Sequence, residues 1–543
     1  MKRILKITAI LGIVAIGMSA TMSPRNKYFE ILKNLEIFTN LYKEINTYYV
    51  DDVDPGQLMR TGIDAMVESL DPFTNYISES EIEGYRFMTE GKYNGIGAIS
   101  QKIDSFVTIV ELYEGQAAAE AGLKPGDRII AVDGKDAVGK SPEEVNNILR
   151  GFPGTEVRLT IRRPGLTEDI DISLERSEVE VDNVPYYGML NDEIGYIALT
   201  TFTREAGKNV AKALISLEEE HEGLKGIVFD LRGNGGGLLT EAVNVSNVFI
   251  PRGETVVTTK GKVKEWDRSF NTMGNATDEE VPLVVLINDR SASASEIVSG
   301  VMQDYDRGVL MGQRSYGKGL VQNTRDIGYN SKLKLTTAKY YIPSGRCIQS
   351  VEYEDGEPVD IPDGQRTPFK TRNGRTVLDG GGVKPDIVVD KFTDAAIVKS
   401  LIDQHLIFEF VTEHFIGVDS IGAVEDYRFE DFDAFVAYLD DRAFQYDTES
   451  EKLLKKLVEA SEEDGYDLKD EIASLQQDIK ASKKDALQKN QEIIVDLVEK
   501  EVASRYYYQR GKIKMGLRND KEIEEAIALL GDTARYNTVL SGQ

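Results

Sequence analysis

VPLVVLINDRSASASEIVSGVMQDYDRGVLMGQRSYGKGLVQ occupies Val281–Gln322. Its first eight residues, Val281–Asn288, form a short apolar run, the pattern of a buried strand. Ser291–Glu296 spells SASASE, and a helix-period segment continues to about Tyr305. A second short strand over Gly308–Gly312 leads into SYGKG and Lys318. The stretch predicts strand, turn, helix, strand, then a lysine between two glycines. It offers Ser293 as a nucleophile and Lys318 as its base.

Histidine is the usual base for a serine, but the chain has only His221, His405 and His414. His221 sits in the polar run EEEHEGLKG, and the other two fall in the C-terminal helical region. A lysine serves only if neutral. Bringing an amine to neutral pH takes roughly 3 pKa units, or about 4–5 kcal/mol against the ammonium. Burial away from carboxylates supplies that, and no acidic residue lies between Arg307 and Arg325. Ser–Lys pairs are a recognised variant of the serine triad. Ser293 also has a plainer reading, because Ser293-x-x-Glu296 is a capping box that starts a helix. The two are compatible, since a helix N-terminus also stabilises developing negative charge.

Gly312, Gly317 and Lys318 satisfy G-x-x-x-x-G-K, but residue 319 is Gly rather than Ser or Thr, and strands follow instead of a helix. A phosphate loop fits poorly. DLRGNGGG, Asp230–Gly237, ends one strand and opens a helix. Its glycines let backbone N–H groups face a ligand, as an oxyanion hole requires. The dinucleotide template fails there because residue 238 is Leu.

Outward from this centre, Glu193 to about Val389 alternates strand and helix, the order of an α/β layered domain. Lys92 to about Arg176 is a small strand-rich unit with turn signals at Lys124–Asp127 and Asp133-Gly134, and a short helix over Ser141–Arg150. Lys27–Leu70 has helical periodicity through Ile31, Leu35, Phe38, Leu41 and Ile45. From Thr393 the chain is helical and strongly charged. Leu453, Leu454, Leu457 and Val458 form one stripe, and Ile523, Ile527 and Leu530 another. Lys469–Lys500 reads as one long helix, and the charge runs read as solvated faces.

The first residues, MKRILKITAILGIVAIGMSATMS, place Lys2, Arg3 and Lys6 before an apolar run, Ile7–Met18, followed by small residues. That is the layout of a secretory signal, short for a membrane span. The net charge of −28 over 543 residues argues against nucleic acid as a partner. The single cysteine, Cys347, excludes an internal disulfide and a four-cysteine zinc site.

Two sets of residues carry a resemblance. GLKPGDRIIAVDGK and SPEEVNNILRG resemble a PDZ domain, whose known ligands are carboxyl-terminal peptides added as a strand. YNGIGA, Tyr93–Ala98, looks like its carboxylate loop, so Gly95, Ile96, Gly97 and Ala98 become the peptide-binding candidates. DLRGNGGG, SASASE, MQDYDRG, SYGKG and GGGVKPDIVV, in that order, resemble the carboxy-terminal processing (tail-specific) serine proteases over roughly Leu41–Val389. The resemblance makes Ser293 the nucleophile and Lys318 the base, with Gln322 orienting the amine. It makes the N–H groups of Ala294 and Gly236 the oxyanion donors, with Gly235 as second choice in the loop. The family usually has proline where Gly235 stands.

The implied architecture is a multidomain α/β protein with a crotonase-like protease core, an inserted PDZ domain, and helical N- and C-terminal regions. The expected divisions are 1–22 signal or anchor, 23–91 helical region, 92–176 PDZ, 177–392 protease core and 393–543 helical region. The expected activity is serine endopeptidase action on exported proteins recognised by their C-termini, in the periplasm or on the outer face of the inner membrane. No metal or organic cofactor is implied. Membrane attachment through the first segment and a homodimer remain open partners, and a non-enzymatic peptide-binding scaffold is the rival reading.

Overall fold

The structure is a computed structural model that describes residues 24–349, 351–354, 357–360, 362–389, 395–483 and 485–542. The signal or anchor segment expected at 1–22 lies outside the described residues. The chain divides into two compact units, Met1–Tyr76 and Ile77–Gln543.

In the first unit the single helical period resolves into α1 (Pro24–Tyr48) and α2 (Pro55–Glu68). Asp54 caps α2, its Oδ1 accepting Gln57 N–H at 2.9 Å, and Pro55 fills the first turn. Ile31, Leu35 and Leu41 on α1 are exposed.

The second unit opens with the small β domain. Strands β1 (Ala98–Ile103), β2 (Phe106–Leu112), β3 (Arg128–Val132), β4 (Glu156–Arg162) and β5 (Ile170–Glu175) form an antiparallel sheet in that order. Helix α3 (Pro142–Leu149) is capped by Ser141, whose Oγ accepts Glu144 N–H at 3.2 Å. Alternate residues Val157, Leu159 and Ile161 of β4 are fully buried beside Val145 and Leu149 of α3.

The central sheet runs β6 (Tyr186–Met189), β7 (Ile194–Ala198), β8 (Gly226–Asp230), β9 (Leu283–Ile287), β10 (Val309–Gly312) and β11 (Ile387–Val388). Only the β6–β7 pair is antiparallel. Parallel strands are covered on both faces, and side chains alternate between them. Ile197, Ile227, Phe229, Leu283, Val285 and Leu310 face one layer with α4 (Ala206–Glu220), α5 (Leu239–Phe249) and α6 (Ala294–Asp304). Val228, Val284, Leu286, Val309 and Met311 face the other.

That second face is closed by the end of the chain. Helix α7 (Gln491–Gly516) leads to α8 (Lys521–Gly531) and α9 (Thr533–Ser541). Ile523, Leu529, Leu530 and Tyr536 pack onto the sheet, each large apolar side chain contributing about 1.5–3 kcal/mol. Tyr536 Oη also accepts Leu283 N–H at 2.9 Å. The stripe read at Ile523, Ile527 and Leu530 is therefore a core face. The stripe at Leu453–Val458 is not: Leu454 is buried, while Leu453 and Leu457 are exposed.

The long helix expected over Lys469–Lys500 is also corrected. One helix ends at Lys483 and another starts at Gln491. Lys483 Nζ is drawn to Tyr446 O at 2.5 Å and Glu451 Oε2 at 2.8 Å on the preceding segment. Tertiary contact overrides propensity here. The same helical region also meets the small β domain, where Arg505 donates to Pro125 O at 3.4 Å and Tyr508 packs on its core.

Candidate active site

Strand β9 ends in a turn fixed by serine. Ser291 Oγ accepts Asn288 N–H at 2.9 Å and donates to Leu231 O at 2.8 Å, tying the turn to the end of β8. Two residues on, Ser293 holds φ 55° and ψ −110° and leads directly into α6. Such a conformation costs a side-chain-bearing residue about 1–3 kcal/mol and collects at functional turns. Ser293 thus stands between the end of β9 at Ile287 and the start of α6 at Ala294.

Glu296, one turn into α6, is fully buried. Its Oε2 accepts the N–H of Ser293 at 2.8 Å and of Lys318 at 2.9 Å. Its Oε1 accepts Gly317 N–H and Ser315 Oγ–H, each at 2.6 Å. Burial raises this carboxyl above the ordinary range, against the pull of the four donated bonds. Four donors require four lone pairs, so the ionised form fits the site. Tyr340 adds a second link. Its hydroxyl lies on the carbonyl oxygens of Ser293, at 3.2 Å, and of Lys318. One carboxylate and one phenol thus fasten the backbones of residues 293 and 318 together.

No acid lies near Lys318 in sequence; in the fold Glu296 Oε2 lies 2.9 Å from its backbone nitrogen. The capping box was legible; its bonds to residues 315–318 were not, because they form only when β10 returns beside α6. Tyr340 carried no signal beyond strand periodicity.

The glycine loop lies against the same turn. Asn234 is 1% exposed. Its carbonyl accepts Ala292 N–H at 3.0 Å and Ser295 Oγ–H at 2.8 Å, and its Nδ2 donates to Leu199 O at 2.8 Å. Gly236 has φ +97°, and a Cβ there would stand 2.7 Å from Ala292 O and 2.9 Å from Ala294 N. Only glycine permits that approach. The Gly236 N–H donates to Asn234 Oδ1 at 2.9 Å, while Gly235 is exposed.

Lys318 is half-buried. The following Gly319 N–H donates to Gln349 Oε1 at 2.7 Å. Gln322 lies on the first strand of the hairpin Leu320–Tyr341, its Nε2 donating to Thr336 Oγ1 at 3.2 Å and Leu320 O at 3.4 Å. Ser293, Ala294, Gly236 and the Lys318 backbone are brought together. Ile96, Gly97 and Ala98 stand at the start of the small β domain instead, and Gly95 ends the strand Lys92–Gly95, which pairs with Ser177–Glu180. There Ile96 O accepts Ala118 N–H at 2.8 Å and Gly97 O accepts Tyr113 N–H at 3.0 Å. Gly97 has φ +81°, and a Cβ would fall 2.3 Å from that of Gln116. Ala98 opens β1, which ends the sheet order with β2 as its neighbour. Among the described residues no group of three or more His, Cys, Asp or Glu side chains converges as a metal site would.

Comparison with known proteins places these features. A model of peptidase family S41 matches residues 193–357, and a PDZ domain model matches 108–163. A model described as the C-terminal helical domain of a probable PDZ-protease matches 397–530. A carboxy-terminal-processing protease of Bartonella bacilliformis is 36% identical over 344 residues, 63% of this chain and 78% of that one. A probable CtpA-like serine protease of Staphylococcus aureus is 35% identical over 361 residues, 66% and 71%. Among solved structures, the photosystem II D1 C-terminal processing protease is 26% identical, covering 66% of this chain and 93% of that one with a TM-score of 0.35. The chain is a serine-type peptidase with a PDZ domain and belongs to the carboxy-terminal-processing protease family.

Proposed function

We propose that the protein is a Ser–Lys endopeptidase that cleaves exported proteins after capturing their C-termini. The observation that carries this reading is Glu296, which holds the backbones of Ser293 and Lys318 with one carboxylate. Ser293 Oγ attacks an internal carbonyl as Lys318 Nζ takes its proton. The oxyanion develops at the N-terminus of α6, where the Ala294 N–H is the proposed donor. Gly236 N–H is the proposed partner, and Asn234 Oδ1 must yield its bond as substrate arrives. Lys318 returns the proton to the departing amine, leaving an acyl ester on Ser293. Water then attacks the ester, giving its proton to Lys318, which passes it to Ser293 Oγ as the acyl C–O bond breaks and the acid leaves. Gln322 is assigned to orient the amine.

Capture is assigned to the Gly95–Ala98 loop, with the substrate adding as a strand along β1 beside α3. The apolar residues left exposed on α1 suit a homodimer, and the Ile7–Met18 run suits export or membrane attachment. Among the described residues no helix is long and apolar enough to cross a membrane.

The test compares an unfolded substrate bearing a free apolar C-terminus with the same chain amidated at its end. The amidated chain is expected to show a KM raised about tenfold with kcat retained, since a charge-assisted carboxylate contact contributes roughly 1.5–3 kcal/mol. Equal KM values for the two chains would remove C-terminal capture from the account.

A further inference from the structure

Arg232 belongs to the glycine loop, four residues before Gly236, and the mechanism gives it no task. Its side chain is 18% exposed. Three carboxylates hold its guanidinium. Asp230, at the end of β8, lies 2.6 Å away through Nη2. Asp520 and Glu522, from the far end of the chain, lie 2.7 Å and 2.5 Å from Nη1. Asp230 is itself fixed, accepting Tyr196 Oη–H at 2.8 Å. Glu522 is fixed too, since its other oxygen accepts from Gln313 just past β10. Asp520 caps α8, accepting Glu522 N–H at 2.9 Å. Helix α8 in turn lies in the core through Ile523, Leu529 and Leu530.

The loop needs such a hold. Gly233, Gly235, Gly236 and Gly237 leave its backbone more free than any other residues would. Asn234 fastens the middle of the run to the Ser293 turn, and Arg232 is the charged anchor at its stem. Asn234 is buried and Arg232 half-buried, and both reach groups of fixed position.

Resting on the Ser293 protease reading, we infer that Asp520 and Glu522 are positioning residues for the oxyanion loop. They hold Arg232, and through it the glycine run, against the Ser293–Ala294 turn. The C-terminal helical region therefore contributes to transition-state stabilisation as well as to the core.

The test is a full-length Asp520→Asn/Glu522→Gln variant assayed beside wild type. The probes are a peptide substrate and a peptidyl boronic acid, whose tetrahedral adduct on Ser293 places a hydroxyl where the oxyanion forms. The expected result is a kcat lower by about 10- to 100-fold, a partial loss of the effect of an oxyanion donor. KM stays within about twofold, and boronate affinity falls by the same factor as kcat. A merely structural staple would not link those two changes. Full loss of fold in the double variant is met by Glu522→Gln alone, which keeps the Asp520 cap and is expected to show a smaller, still parallel loss. Unchanged kcat, or a kcat loss with boronate affinity intact, overturns the inference and leaves the protease reading standing. Wild type that neither turns over substrate nor binds boronate overturns both.

Discussion

Lys318→Ala is expected to lower kcat by about 10³- to 10⁴-fold, the upper range for loss of a general base. KM is expected to stay within about twofold, because the side chain acts on the proton and not on the bound chain. The three histidines lie on other elements: His221 follows α4, and His405 and His414 flank and end the helix Leu406–His414 of the C-terminal region. The loss is specific to chemistry because the Lys318 backbone is fastened independently of its amine, by Glu296 and Tyr340. Wild-type kcat/KM is expected to rise with pH as the ammonium gives up its proton, and that limb is expected to vanish in the variant. A pH profile of both proteins checks this. An unchanged limb in Lys318→Ala would move the base elsewhere.

Glu296→Gln is expected to cost both stability and activity. The carboxylate presents four acceptor positions to four donors. An amide keeps the shape but turns one acceptor into an NH2 group facing two of those donors. Each buried donor left unpaired costs about 1–3 kcal/mol, so with two of them the variant is expected to lose about 2–6 kcal/mol in denaturant unfolding. The rate is expected to fall at least about 10²-fold, since small misplacement of reacting groups has that effect. Glu296→Ala would leave all four donors without a partner and is expected to be worse in both respects. A Glu296→Gln variant with wild-type kcat would show that the shared carboxylate caps a helix and nothing more.

Much of the fold was legible because its signals are local. The run Leu283–Ile287 is wholly buried, as an apolar run without alternation implies for a parallel strand. The Ser141 cap and the turns around Asp127 and Gly134 lie within the small β domain and are set by short-range chemistry. The stretch that contains both offers Ser293 and Lys318 as candidates, and the fold brings their backbone N–H groups onto one carboxylate. What was not legible depends on distant partners. Glu296 reads as a helix cap until residues 315–318 return to it, and Arg232 reads as one polar residue in a glycine loop until Asp520 and Glu522 arrive. The charge of the C-terminal helices hid their second role, because a helix solvated on one side shows its polar face as plainly when the other face closes a sheet.

The most direct test of the central claim is a digestion time course with an unfolded protein bearing an apolar C-terminus. Wild type, Ser293→Ala and Lys318→Ala are compared at one pH, with fragments identified by mass. The account predicts internal cleavage by wild type alone, with folded but inactive variants. Cleavage by Ser293→Ala at the wild-type rate would contradict it.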